Sequence, residues 1–486
     1  MGGLVAVLDK TGDNASETAL RALATLGHRG DDAFGVSTGT QVFFSDSLTA
    51  LAESEVEARV ASAYRLQMIL SSDTAQPVGT SWGDLVFEGE AYAEQALITG
   101  DNVAGFLEGE DGATALSHFV ERYDGMYAGV LNDGSRLRVM KDPQGLKPLY
   151  VGENSRYCAF ASERKALWRI GIGDGESLPP GVVVETSPVT TTLKMVRGID
   201  FSRPGSESVG VTHAAERVSE LLSKAVRERA RDVDEVAVAF SGGIDSSIAA
   251  FVAKRLGLGV RLFTVRIGGY PSPSDALKAA DALDLPVTEV SKSLEDVEAD
   301  LERVLWLVEE PDLMKLQIAL PLYWTGAQAA HSGFKVLLLG QGADELFGGY
   351  KRFQEVYAAR GRAEAQKAIS DSVRCSPTVN YERDEPVLSA CKIRPRLPYT
   401  DLELTEYALR LPLELKLASP SDRLRKRILR EVAGQLHLAS FIVESRKRAI
   451  QYETGTQKAL AHIARKRHLK PRQLVEHLFH RMKMLT

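Results

Sequence analysis

Hydrophobic and polar positions follow two different rhythms along the chain. Up to Phe201, short apolar stretches such as GGLVAVLD, QVFFSD, DLVFEGEAY, MYAGVL and LRVMKD are interrupted by Gly, Asp and Asn. Short apolar runs between turn formers predict strands, and a long succession of them predicts a layered sheet domain. The stretch SRPGSESVG, residues 202–210, is rich in Ser, Gly and Pro and predicts a linker. Beyond it the period changes. Between His213 and Asp232, Val218, Leu221, Leu222, Ala225 and Val226 share one face of a helix. Next come the strand EVAVAF, a helix from about Asp245, the strand VRLFTV, the helix SDALKAADAL and the strand PVTEV. Further helices lead to the strand KVLLL at 335–339. Unbroken apolar strands alternating with helices predict a doubly wound parallel sheet of the α/β class. From about Gln457 the chain reads as a basic helical tail, with Arg465, Lys466, Arg467, Lys470 and Arg472 close together. The expected units are therefore 1–201, 211–455 and 456–486.

Composition narrows the class. A chain of 486 residues exceeds a usual single core, so at least two domains are expected. With 44% hydrophobic and 26% charged residues it has the make-up of a soluble globular protein. The net charge of -6 argues against nucleic acid as an obligate partner, and the basic tail reads as a solvated helix face rather than an RNA surface. Cys158, Cys375 and Cys391 are too widely spaced for a zinc site or a disulfide framework. The N-terminus lacks a signal-peptide pattern, and no run of about 18 apolar residues is present to span a membrane. A cytoplasmic protein without a membrane partner is expected.

The segment SGGIDSS, Ser241 to Ser247, carries the most chemistry. It lies between an apolar strand and a helix. Gly242 and Gly243 let the backbone approach an anion without Cβ collisions. The free N–H groups and positive end of the helix favour phosphate, and the hydroxyls of Ser241, Ser246 and Ser247 add donors. GxxxxGK[ST] is absent, so this is not a Walker A loop. Asp245 suits magnesium, which prefers carboxylate and phosphate oxygens.

SGGIDSS behind an apolar strand resembles the pyrophosphatase loop of ATP-dependent adenylating enzymes, among them GMP, argininosuccinate and asparagine synthetases. LLLGQGADELFGGYKRF (337–353) resembles the asparagine synthetase signature, and RPRLPYTDLELTEYALRLP and RKRILREVA follow in that family's order. Upstream, GHRGDDAFG, FEGEAY, DGMYAGVL, KDPQGLKPLY and SERKAL resemble its glutaminase domain. Over residues 1–455 the chain is thus similar to the asparagine synthetase family, in an archaeal-type form. The resemblance implies an N-terminal αββα sandwich of Ntn-hydrolase type and an ATP-pyrophosphatase domain of the adenine nucleotide α hydrolase-like kind. It implies ATP and Mg2+ as cofactors, with Ser241, Gly242, Gly243, Ser246 and Ser247 around the phosphates and Asp245 and Asp344 on the metal. Val265 would line the adenine pocket, and Gly340 and Gly342 would lie near ribose and α-phosphate. Lys426, Lys447 and Glu345 would form the catalytic set. The implied activity is that of a ligase making asparagine from aspartate and ammonia, with AMP and pyrophosphate released.

The departures are as informative. Family members that hydrolyse glutamine carry cysteine at residue 2, where this chain has Gly2, and Glu88 stands where asparagine is typical. Glutaminase activity is therefore expected to be lost. PDLMKLQIALPLY replaces the segment that faces aspartate in bacterial enzymes: Gln317 falls at an arginine position, with Lys315 as substitute cation and Glu310 or Glu345 as acceptor for the substrate ammonium. Gln341 also replaces a glutamate common in the signature. A related amide or lactam synthetase acting on another small carboxylate is the second reading, although Leu316 stands where a β-lactam synthetase has its tyrosine. The third is a non-catalytic ATP-binding regulator. The sequence leaves open whether ammonia comes from solution or a partner glutaminase, and whether the protein is a homodimer.

Overall fold

The strand Gly2–Asp9 runs inside a seven-stranded sheet, antiparallel to Tyr157–Ala161 on one side and Val60–Leu66 on the other. Its side chains alternate as a two-residue period requires. Leu4, Ala6 and Leu8 point into an apolar layer shared with Val86, Val130 and Val139, while Val5 and Val7 pack on the other face with Ala19 and Leu23. Ala19 and Leu23 belong to the helix Ala15–Leu23. Val86, Val130 and Val139 belong to a second sheet, also seven-stranded and antiparallel. The outer face of that sheet is covered by the helix Gly112–Arg122, through Leu116, Phe119 and Val120. Asp111 caps this helix by accepting from Thr114 N at 2.8 Å. The result is the expected helix–sheet–sheet–helix sandwich. The computed structural model describes residues 1–12, 14–53, 56–269, 274–446 and 450–484.

The chain divides into two compact units, Met1–Gly198 together with the extreme C-terminus from Lys483, and Ile199–Met482. Residues 202–210 form neither helix nor strand.

The second unit is built on five parallel strands: β1 (Glu235–Ala239), β2 (Gly259–Ile267), β3 (Val287–Lys292), β4 (Val336–Leu338) and β5 (Arg394–Arg396). Their order is β3-β2-β1-β4-β5. Val236, Val238, Leu262, Val336 and Leu338 pack against Val218, Leu221 and Leu222 of the helix Val211–Arg229 and Ile248 and Val252 of Ile244–Arg255. Each fully buried aliphatic side chain here contributes about 1.5–3 kcal/mol. The helix Leu313–His331 packs on β1, β2 and β3 as well.

The helices of the basic tail, Thr456–Lys466 and Pro471–Lys483, bury Leu460, Ile463, Leu474, Val475 and Leu478. The first of them packs on the helices Leu294–Val308 and Leu313–His331. Arg467 pairs with Glu298 at 2.6 Å, and Arg481 pairs with Glu302. Residues 456–482 thus belong to the second unit. Among the described residues, no helix is long and apolar enough to cross a membrane.

Candidate active site

From β1 the chain moves outward to β2 and β3, and later returns to β4 and β5 on the opposite side. The strand order therefore reverses between β1 and β4, the position where open α/β sheets bind ligands beyond their carboxyl ends. SGGIDSS follows β1 and GQGADELFGG follows β4, so the two motifs meet there.

The loop after β1 is held by its own serines. Ser241 Oγ accepts from Gly243 N at 3.3 Å, and Ser246 Oγ donates to Gly243 O at 3.2 Å. Gly242 has φ +74°, and a Cβ there would lie 2.6 Å from Ala276 Cα, so both conformation and space call for glycine. Gly243 is the N-cap of Ile244–Arg255 and offers no capping side chain, which leaves the first N–H groups of the helix for a ligand. Ser247 is buried, and its Oγ has no hydrogen-bond partner among the described residues.

Asp245, in the first turn of that helix, meets Asp344 from the short helix Ala343–Leu346 through a shared lysine. Lys426 Nζ is 2.5 Å from Asp245 Oδ2 and 2.5 Å from Asp344 Oδ1. The lysine side chain is only 1% exposed. A backbone contact also holds Asp245: Tyr399 Oη donates to its carbonyl at 3.0 Å. Gly340 passes close by, its Cβ position 3.3 Å from Asp245 Cβ. Gly349 gives Lys426 its path, since a Cβ there would fall 1.9 Å from Asp344 Oδ1 and 2.4 Å from Lys426 Cε. Neither Tyr399 nor Gly349 was expected from the sequence. The paired glycines of FGGY were the available signal for Gly349; Tyr399 had none.

The other expected residues lie as follows. Val265 is buried in β2, in register with Val290. Gly342 has φ +95° and caps the Asp344 helix. Glu345 is buried, and a single oxygen, Oε1, accepts both from Tyr350 Oη at 2.5 Å and from Asn380 Nδ2 at 2.7 Å. Burial and the adjacent Asp344 carboxylate raise its pKa. Lys447 lies outside the described residues. Lys315 donates to Glu310 Oε2 and to Thr378 O, each at 2.7 Å, so the two groups expected to meet a substrate neutralise one another. Leu316 and Gln317 are both buried in the same helix.

Asp245 and Asp344 fit a magnesium ion. Their donors are carboxylate oxygens, and Asp245 Oδ1 is buried with no hydrogen-bond partner among the described residues.

In the first unit, the two positions that depart from glutamine-hydrolysing members, Gly2 and Glu88, are closely surrounded. A Cβ on Gly2 would lie 2.2 Å from Arg65 O and 2.4 Å from Tyr64 Cζ and Oη. Glu88 is buried, with Arg29 Nη1 at 3.0 Å and Lys147 Nζ at 2.8 Å from its Oε1, and Ser162 Oγ donates to its Oε2 at 2.6 Å. Arg29 Nη1 also donates to Gly2 O at 3.1 Å. Glu163 extends this buried network to His28, Arg29 and Lys165. Burial pushes the Glu163 carboxyl up, but these three neighbours outweigh it and hold it well below the usual range.

Comparison with known proteins gives the family. The profile of the asparagine synthase family matches residues 217–385 and 378–485, and that of a glutamine amidotransferase domain matches residues 63–169. A Methanocaldococcus jannaschii protein assigned as a glutamine-hydrolysing asparagine synthetase is 30% identical over 95% of this chain and 95% of its own length. An Arabidopsis thaliana glutamine-hydrolysing asparagine synthetase is 28% identical over 70% of this chain, a match spanning 61% of that protein. One from Schizosaccharomyces pombe is 27% identical over 77% of this chain and 72% of its own length. A parallel-sheet unit with a pyrophosphatase-type loop, behind an αββα sandwich, defines an ATP-dependent amidotransferase architecture. The chain belongs to the asparagine synthase family, which uses ATP.

Proposed function

We propose that the protein is an ATP-dependent ligase that adenylates a carboxylate, the side chain of aspartate, and transfers ammonia to it to give asparagine, AMP and pyrophosphate. The observation that carries this reading is the convergence of Asp245, Asp344 and Lys426 at the N-terminus of Ile244–Arg255.

The free N–H groups of that helix and the Ser241–Ser247 loop bind and orient the phosphates. A carboxylate oxygen attacks the α-phosphorus, the bond to the bridging oxygen breaks, and pyrophosphate leaves with that electron pair. Lys426, shielded from water, places positive charge where the leaving group accumulates negative charge. Magnesium held by Asp245 and Asp344 would supply further charge neutralisation at the same place. Ammonia then attacks the acyl carbon, loses a proton, and AMP departs with the C–O electrons. Gly340 and Gly342 border the phosphate side, and Val265 is the candidate adenine contact. Glu345, held by Tyr350 and Asn380, lies next to Asp344 in the helix Ala343–Leu346.

The first unit is, in this reading, a shell without glutaminase activity. Gly2 offers no nucleophile, and Tyr64 and Arg65 leave no room for one. Ammonia is the nitrogen donor. Pyrophosphate release from ATP, measured with and without aspartate plus ammonium, tests the assignment. Release that ignores aspartate but responds to another small carboxylate would redirect the substrate, and no release under any condition would refute the ligase.

A further inference from the structure

Lys426 is built into the site more firmly than a phosphate contact alone requires. It and Arg425 both adopt left-handed backbone conformations, with φ of 52° and 57°. Such values are unfavourable for residues with side chains and persist where surroundings enforce them. The enforcement is visible. Arg430 Nε donates to Arg425 O at 2.7 Å, its guanidinium also reaches Leu424 O and Ser445 O, and Asp422 Oδ1 accepts from Leu424 N and Arg425 N at 3.0 and 3.1 Å. This stapled turn, together with the bare backbone of Gly349, delivers one buried ammonium to one oxygen on each carboxylate.

We infer that Lys426 is an internal counter-ion that closes the Asp245–Asp344 pair to a free divalent cation, so that metal enters only together with a nucleotide's phosphates. The inference rests on the reading of those two aspartates as metal ligands. With no nucleotide present, a divalent cation would meet a fixed, buried positive charge already ion-paired with both carboxylates, in a setting where like charges are poorly screened. A triphosphate reverses that balance. An ammonium has three donors; one is spent on Asp245 Oδ2, while Asp344 Oδ1 is held at ion-pair distance, so donor capacity is left for a phosphate oxygen. Asp245 Oδ1 then remains for the metal arriving on the nucleotide.

The test is Mn2+ binding to the full-length protein, followed by the electron paramagnetic resonance signal of free Mn2+. Wild type is expected to take up Mn2+ when a non-hydrolysable ATP analogue is present and to bind it poorly without one. Lys426→Met is expected to gain nucleotide-independent binding, about tenfold or more tighter than wild type, because two half-buried carboxylates lose their counter-ion. Lys426→Met/Asp245→Asn should lose that gain. If Lys426→Met does not fold by itself, recovery of a cooperative melt on adding Mn2+ supports the same conclusion, and failure to recover counts against it. Nucleotide-independent Mn2+ binding by wild type as tight as by Lys426→Met would overturn the inference. If instead Asp245→Asn leaves nucleotide-dependent Mn2+ uptake unchanged, the metal-ligand reading itself fails, a separate outcome.

Discussion

The ring of Tyr64 occupies the space into which any side chain at Gly2 would project. Its Cζ and Oη stand 2.4 Å from the Cβ position, and the carbonyl oxygen of Arg65 is closer still at 2.2 Å. The absence of a nucleophile is therefore matched by the absence of room for one. Gly2→Cys is expected not to restore glutamate release from glutamine and to destabilise the protein by about 1–3 kcal/mol through overpacking. Gly2→Cys/Tyr64→Ala relieves only the ring contact, since the Arg65 carbonyl belongs to the neighbouring strand. Thiol-dependent glutamate release by either variant, above a heat-killed control, would show that the domain retains a working pocket.

Asp245→Asn removes a metal-ligand charge without changing volume. Pyrophosphate formation is expected to be abolished while the thermal unfolding transition stays cooperative. Wild-type turnover by this variant at saturating magnesium would remove Asp245 from the site.

Much of this arrangement was legible because it is local. The Ser241–Ser247 loop declares its chemistry within seven residues, and Asp344 is marked by the glycines around it. The strands of both units follow apolar runs bounded by turn formers. What the sequence hid depends on distant partners. The strand Arg394–Arg396 reads as Arg-Pro-Arg, yet it is buried at the sheet edge because Arg396 Nη2 pairs with Asp232 Oδ2 at 2.8 Å and Nη1 reaches Arg229 O. In the basic tail, Arg467 and Arg481 take carboxylate partners far upstream, Glu298 and Glu302, which no local pattern announces. Lys315 and Glu310 could each be assigned to a substrate from sequence, and only their contact shows that they satisfy one another.

Gly349→Ala tests the path of Lys426. A methyl group 1.9 Å from Asp344 Oδ1 must displace the lysine or the aspartate. A shift of about 1 Å at a reacting centre costs on the order of a hundredfold in rate, and that loss of pyrophosphate release is the expected result. Gly434→Ala, where an added Cβ meets nothing within 4 Å, is the control and should leave the rate unchanged. Equal rates for both variants would show that Lys426 does not need the Gly349 opening.

Lys416 provides a pH prediction. Its side chain is 0% exposed, its Nζ has no hydrogen-bond partner among the described residues, and burial pushes its pKa down to about 7. The unfolded chain holds this proton up to about pH 10.4, so between about 7 and 10.4 the unfolded state binds more protons than the native state. Stability contributed by this group therefore rises with pH across that window, by about 1.4 kcal/mol per unit. Lys416→Met should be more stable than wild type at pH 7, with an advantage that shrinks as pH approaches 9. Chemical denaturation at both pH values measures it; an advantage independent of pH would mean that the ammonium is solvated or paired.

The central claim is that a carboxylate is activated by transfer to the α-phosphorus of ATP. Aspartate labelled with heavy oxygen in its side-chain carboxylate tests it most directly, with ammonium as nitrogen donor and mass spectrometry of the nucleotide product. The account predicts AMP carrying one labelled oxygen, together with unlabelled pyrophosphate and newly formed asparagine. Label in orthophosphate, or AMP formed without label, would contradict it.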